Sequence, residues 1–220
     1  MTRLAIVGAH GKVAQQLMGR LYDRGDEFVG IVRSEDHAED VYRLGGEGVV
    51  LDLETVTRDA LASAFSGVDA VVFSAGAGAG SGVARKRTVD YAGSTKSAAA
   101  AVQAGVRRFV QVSAQGVDLP VAADAESQWA AYVDAKRDAD NALRASGLDW
   151  TILRPGRLTY DSGTGLIALD VSLPSGAISR EDVATTIIGV LDEPRSAGHT
   201  WEVTAGSDPI SDAIARRLES

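Results

Sequence analysis

Two residues of this sequence are spaced to move a proton. Tyr132 and Lys136 lie four apart in a stretch expected to be helical from Glu126 to Ala145. Residues at that spacing are neighbours on one helix face. Trp129, Tyr132, Lys136, Ala139 and Leu143 form a single stripe there. A lysine in such a stripe is costly unless it has a partner. A free tyrosine has a pKa of about 10, too high for easy proton exchange near neutrality. A neighbouring ammonium stabilises the phenolate, so Lys136 is expected to lower the Tyr132 pKa. The pair could then give a proton to a carbonyl oxygen as hydride reaches the carbon, or take one in reverse. Ser113, at the end of an apolar run, is a candidate third member. The alternative is coincidence, since a spacing this short also arises by chance.

The element that would position such chemistry is at the other end of the chain. Leu4 to Val7 is a short apolar run suited to a strand buried on both faces. From Lys12 to Arg24 the apolar residues take helical spacing. Between them stands Gly8-Ala-His-Gly11-Lys-Val-Ala14. Small residues at these offsets permit a tight turn, close approach to a phosphate and close helix–strand packing. The helix N-terminus would offer free N–H groups to a pyrophosphate. The alternative is the same turn without a ligand. A nucleoside triphosphate loop is excluded twice: Gly11-Lys12 is followed by Val13, and Ile6 stands where its first glycine is required.

Further strands are expected at Glu27 to Val32, Gly48 to Leu53, Val68 to Ser74 and Arg108 to Val112. Helices are expected at Asp36 to Leu44, Arg58 to Phe65 and Arg87 to Ala104. This alternation predicts an α/β, Rossmann-like doubly wound parallel sheet, which binds ligands outside the carboxyl ends of its strands. Gly8, Arg33, Asp52, Ser74 and Ser113 all fall at such ends. Arg33 stands about 20 residues past the glycines, where an acid would favour NAD and a guanidinium suits a 2′-phosphate. The sequence therefore leans to NADP over NAD. A solvated arginine is the alternative, and Glu35 and Asp36 weigh against the phosphate. Asp52 could accept from an adenine amino group while Leu53 covers the ring, or could simply begin a helix. The loop from Ala75 to Gly82 would let backbone approach a ligand, and its far end, 78–82, is expected to be mobile.

With Ser146-Gly-Leu-Asp-Trp-Thr-Ile-Leu-Arg-Pro-Gly156 added to Gly8-x-x-Gly11-x-x-Ala14, Ser113 and Tyr132-x-x-x-Lys136, the chain resembles the short-chain dehydrogenase/reductase superfamily. It is most similar to the atypical, NAD(P)H-binding branch that includes NmrA-like proteins and biliverdin reductase B-type flavin reductases. Val183-Ala184 after Ser179-Arg-Glu-Asp182 fits that branch, and the resemblance spans essentially the whole chain. It implies that Gly8, Ala9, His10, Gly11, Lys12 and Val13 hold the pyrophosphate and Arg33 the 2′-phosphate. Asp52 and Leu53 would flank the adenine, and Ser74, Ala75 and Gly76 would run under the adenine-side ribose. Lys136 would bond the nicotinamide ribose. Arg154, Pro155 and Gly156, after the sixth strand, would lie near the nicotinamide. The implied activity is NADP(H)-dependent hydride transfer to or from a small carbonyl, quinone or flavin-like substrate. The family's substrate-orienting serine is the second of a Ser-Ser-like pair, which here reads Ser113-Ala114. Neighbours at a strand end point to opposite sides, so Ser113 is in doubt, with Gln115 as a possible substitute. That departure leaves a second reading, a non-catalytic NADP(H)-binding redox sensor.

The remaining stretch, 157–220, is expected to supply a small substrate-side region of one domain covering 1–220. It would contain a short strand at Leu166 to Asp170, a helix at Arg180 to Leu191, a strand at Trp201 to Thr204 and a closing helix at Pro209 to Leu218. A net charge of −8 gives no reason to seek nucleic acid or an anionic membrane. There is no cysteine, and the three histidines, His10, His37 and His199, are scattered in sequence, so no metal site is expected. No apolar run approaches a membrane span, and the chain enters a core strand at once, leaving no room for a signal peptide. The expectation is a cytoplasmic protein, monomer or homodimer, acting on a small molecule. No Gly-x-Ser-x-Gly elbow surrounds Ser74, Ser81 or Ser113, which argues against a serine hydrolase.

Overall fold

A computed structural model describes residues 2–219 except 79, 123 and 124. Ala79 falls within the loop end expected to be mobile, so that expectation lies partly outside the described residues.

The first strand, β1 (Arg3–Val7), sits mid-sheet. Its side chains alternate between two cores, Leu4 and Ile6 on one face, Ala5 and Val7 on the other. Burial on both faces explains its unbroken apolar run. Helix α1 (Lys12–Arg24) puts Val13, Leu17, Met18 and Leu21 into the first core and stops at Gly25, which has φ 74°. The chain continues through β2 (Glu27–Val32), α2 (Glu35–Arg43), β3 (Glu47–Val50), α3 (Arg58–Ala64) and β4 (Ala70–Phe73). Strand β3 ends at Val50, so Leu51, Asp52 and Leu53 lie beyond it, not within it as the sequence suggested.

The helix expected from Arg87 is not one helix. It begins as α4 (Val83–Arg85), passes through a π turn at Lys86–Tyr91 and becomes α5 (Ala92–Ala104). Such turns are rare and occur often at functional sites. Strand β5 (Arg108–Val112), helix α6 (Ser127–Arg144) and strand β6 (Asp149–Pro155) follow. Arg154 and Pro155 therefore belong to β6 rather than following it.

The last part holds β7 (Arg157–Thr159), β8 (Leu166–Asp170), β9 (Ala177–Ser179), α7 (Arg180–Asp192), β10 (His199–Ala205), β11 (Asp208–Pro209) and α8 (Ile210–Glu219). Among the described residues, nine strands form one sheet in the order β11-β8-β10-β6-β5-β4-β1-β2-β3, and β7 pairs with β9 apart from it. The run from β10 to β3 is parallel; β8 is antiparallel to β10 and to β11. The expected Rossmann-like architecture is therefore present. Strand order reverses between β1 and β4, which opens a crevice at their carboxyl ends.

Candidate functional site

That crevice is a chain of three cavities. The first, about 280 Å³, runs from Arg33 and His37 past Asp52 and Leu53 to Ser74 and Gly76. The second, about 670 Å³, shares Gly11, Ser74, Ala75, Gly76 and Gly78 with the first and reaches Tyr132 and Lys136. The third, about 820 Å³, shares Ser113, Trp129, Tyr132, Leu158 and Arg180 with the second.

At the first junction, Gly8 has φ 83°, and a Cβ there would lie 2.6 Å from the Ala75 Cα. The glycine lets β1 turn while the β4 loop passes over it. The amides of this turn divide into two sets. Gly8 and Ala9 N–H both donate to Ile31 O, and Gly11 N–H donates to Gly8 O. Ala9 turns its side chain into the core. The expectation that 8–13 acts as a unit on a phosphate is corrected to this extent: the N–H groups without a protein partner among the described residues are those of His10, Lys12, Val13 and Ala14. They lie at the open end of α1, whose N-cap Gly11 supplies no side-chain cap. Unpaired amides at the positive end of a helix fit a diphosphate.

Arg33 is exposed and makes no ion pair among the described residues. Two of the three histidines, scattered in sequence, meet beside it. The His10 and His37 rings stack at 3.5 Å with 9° between planes, and His10 Nε2 lies 3.3 Å from Asp40 Oδ2. Burial, with the charges of His10 and Arg33, holds the His37 imidazole below the usual histidine range. Asp52 Oδ1 accepts from Glu54 N–H, and Leu53 packs against Gly93.

At the second junction, Lys136 is buried and its Nζ donates to Val112 O at 3.1 Å. It lies 3.4 Å from Asp90 Oδ1 and 5.9 Å from the centre of the Tyr132 ring. Burial alone would lower the ammonium, but Tyr132, Asp90 and Asp140 outweigh it, so it stays above the ordinary lysine range. Tyr132 departs from expectation. Burial raises its hydroxyl above the usual tyrosine value; Lys136 pulls it down, and Asp90 and Asp140 push it up again. Lys136 alone does not decide the direction, because burial of the tyrosine outweighs it, and the negative charges of Asp90 and Asp140 act the same way as burial.

Ser113 is buried and its Oγ donates to Asp140 Oδ2 at 3.0 Å, while still lining the second and third cavities. Ala114 lines only the third. Gln115 cannot take over as substrate donor. Its Nε2 donates to Leu173 O, Pro174 O and Glu202, and its Oε1 accepts from Gly176 N–H. Arg154, Pro155 and Gly156 line the third cavity rather than the second. Arg154 is spent on carboxylates: Nη1 lies 2.6 Å from Asp118 Oδ2 and Nε 2.9 Å from Asp140 Oδ2.

Asp90, Asp118, Asp140, Lys86 and Arg180 were not singled out from the sequence. Asp140 continues the Tyr132, Lys136 spacing by another four residues, which was a usable signal. Asp90 had none, because its place depends on the π turn.

The sequence from 8 to 194 matches the family model for NAD(P)H-binding proteins. The chain belongs to that family. It is 35% identical over 219 residues to Bacillus subtilis YhfK, named an uncharacterized sugar epimerase, covering 97% of this chain and 99% of that protein. It is 30% identical to a Streptomyces griseus (4-alkanoyl-5-oxo-2,5-dihydrofuran-3-yl)methyl phosphate reductase, over 99% of this chain and 71% of the reductase. Among solved structures, a Bacillus halodurans protein assigned by its name to the NAD-dependent epimerases/dehydratases superposes with a TM-score of 0.90 at 34% identity, covering 98% of this chain and all of that one. The family resemblance read from the motifs thus holds: the chain is an NAD(P)H-binding member of the atypical short-chain dehydrogenase/reductase group. Among the described residues, no helix is long and apolar enough to cross a membrane.

Proposed function

We propose that the protein is an NADP(H)-dependent oxidoreductase moving hydride between the cofactor and a small carbonyl, quinone or flavin-like substrate. The observation that carries this reading is the continuity of the cleft. One groove runs from a free guanidinium at Arg33, past the open amides of α1, to Tyr132 and Lys136, and widens there into a cavity of about 820 Å³. In this reading Arg33 takes the 2′-phosphate, His10, Lys12 and Val13 the diphosphate, and Asp52 and Leu53 the adenine. Ser74, Ala75 and Gly76 lie beneath the adenine-side ribose, and Lys136 holds the other ribose. The bound nicotinamide supplies or accepts the hydride. Tyr132 exchanges the proton with the substrate oxygen, and Ser113 Oγ, whose proton goes to Asp140, keeps its lone pairs free to accept from a donor in the cleft. The substrate lies in the third cavity, against Trp129 and Leu158. The reductase among the relatives supports reduction chemistry.

A second reading, a redox sensor that binds NADP(H) without turnover, is favoured by one observation: the Ser113 proton is committed to Asp140. The test begins with fluorescence titrations of NADPH and NADH. NADPH is expected to bind at least about tenfold more tightly, or about 1.4 kcal/mol, and Arg33→Ala to remove that difference. Equal affinities would cost the NADP assignment, and no binding of either would sink the reading. NADPH consumption is then followed with quinones, flavins and small carbonyls. Turnover lost in Tyr132→Phe supports the enzyme; tight binding with no turnover across the panel supports the sensor.

A further inference from the structure

Asp90 is the least accounted-for charge in the cleft. It is 1% exposed and sits in the π turn. Its Oδ2 accepts from Ala77 N–H at 3.0 Å, while its Oδ1 is buried with no hydrogen-bond partner. That oxygen lies 3.4 Å from Lys136 Nζ, and Asp90 lines the second cavity together with Lys136 and Tyr132. Gly76 leaves it room, since a Cβ there would approach to 3.2 Å. A carboxylate held this way, out of water, is retained only at a cost that its partner must offset.

Its consequence falls on Tyr132. An ammonium lowers a phenol's pKa because it stabilises the phenolate, and a carboxylate on the same ammonium cancels that field. The charged groups around Tyr132 are Lys136 and Asp140 on its own helix and Asp90 and Lys86 from the π turn, with Lys12, Glu126 and Arg180 lining the same cavity. Lys86 Nζ lies 5.4 Å from the ring centre, and it donates to Gly78 O at 2.7 Å.

We propose that Asp90 is a positioning residue that neutralises Lys136 and so keeps Tyr132 in its protonated form, the form that can give a proton to a substrate oxygen. This rests on the oxidoreductase reading. With the cofactor bound, a C–H bond of the reduced nicotinamide would break as its hydride forms the new substrate C–H bond, the ring being oxidised and the carbonyl reduced, and the carbonyl π pair would move to oxygen. The Tyr132 Oη–H bond breaks to give that oxygen its proton, and water then reprotonates the tyrosine. The reverse step needs a phenolate to take a proton, and that form is scarce here. The raised Tyr132 hydroxyl agrees with this arrangement.

The test is the ionisation of Tyr132 itself, read as tyrosinate absorbance after subtracting the matching Tyr132→Phe protein, with circular dichroism at each pH. In the native protein, no midpoint is expected below the ordinary tyrosine value of about 10. Asp90→Asn should move the midpoint down by about one pH unit or more, or roughly tenfold more phenolate at a given pH below it. Adding Lys136→Met to that variant should restore the native curve. A native midpoint well below 10, or an Asp90→Asn curve superimposable on the native one, would overturn the proposal. If the asparagine protein does not fold, Asp90→Ser removes the same charge in less volume and should show the same downward shift, and a native midpoint well below 10 still overturns the proposal. NADPH titration of the same samples separates the two ideas: lost cofactor binding counts against the oxidoreductase reading, and a wrong tyrosine curve counts only against Asp90.

Discussion

Arg154 and Asp140 share one buried contact under the cleft. Arg154 Nε and Nη2 lie 2.9 Å and 2.8 Å from the same oxygen, Asp140 Oδ2, and Asp140 is wholly inaccessible to water. Gln111 and Ser113 supply the remaining hydrogen bonds to that carboxylate. Removing one partner of such a pair strands the other, which typically costs about 3–5 kcal/mol. Asp140→Ala should therefore lower the midpoint of urea unfolding sharply, and a loss under about 1 kcal/mol would mean that the cluster is looser than its distances indicate.

The other carboxylate on Arg154 gives a pH signature. Hydrogen bonds from Arg154 hold the Asp118 carboxyl below the usual aspartate range. Its folded pKa is depressed, so its stabilisation is fully present above the unfolded value of about 3.9 and lost as pH falls through the folded value. Burial raises Asp140, which acts with the opposite sign. Comparing Asp118→Asn with the native protein isolates the first effect. The difference in thermal stability should be present at pH 7 and vanish in acid; a pH-independent difference would contradict the pairing.

Gly8→Ala should damage the protein and the cleft together. The left-handed backbone there costs an alanine roughly 1–2 kcal/mol, and its Cβ would meet the Ala75 backbone. Thermal denaturation should show at least that loss, and NADPH titration a weaker complex.

Thr57→Ala is the matching control away from the cleft. Thr57 Oγ1 accepts from Ala60 N–H and caps α3. Its loss should cost about 1 kcal/mol in urea unfolding without changing NADPH affinity. A change in affinity would show that α3 communicates with the cleft.

The alternation of strand and helix was legible because each element carries its own period. The unbroken apolar run of β1 and the stripe of α1 can each be read locally. The bends between elements are less legible. Nothing in Lys86-Arg-Thr-Val-Asp-Tyr91 announces a π turn, because it follows from how that segment packs on α6. The short pairing of β7 with β9 joins residues about 20 apart through Gly- and Ser-rich chain and has no periodic signal. In the site, Tyr132, Lys136 and the glycine turn were found because their spacing is short. Asp90 was not legible because it comes from a distant segment, whereas Asp140 carried a signal only in its spacing, four residues beyond Lys136. The stacking of His10 on His37 likewise depends on how α2 packs beside the glycine turn.

The π turn carries two tethers at once. Asp90 holds Ala77 N–H and Lys86 holds Gly78 O, so the glycine-rich loop after β4 hangs from the same turn whose carboxylate faces Lys136. The two ends of the groove are therefore not independent parts. A change that reseats the loop drags the counter-charge with it, and any selection acting on how the dinucleotide is gripped also acts on the charge that faces Lys136.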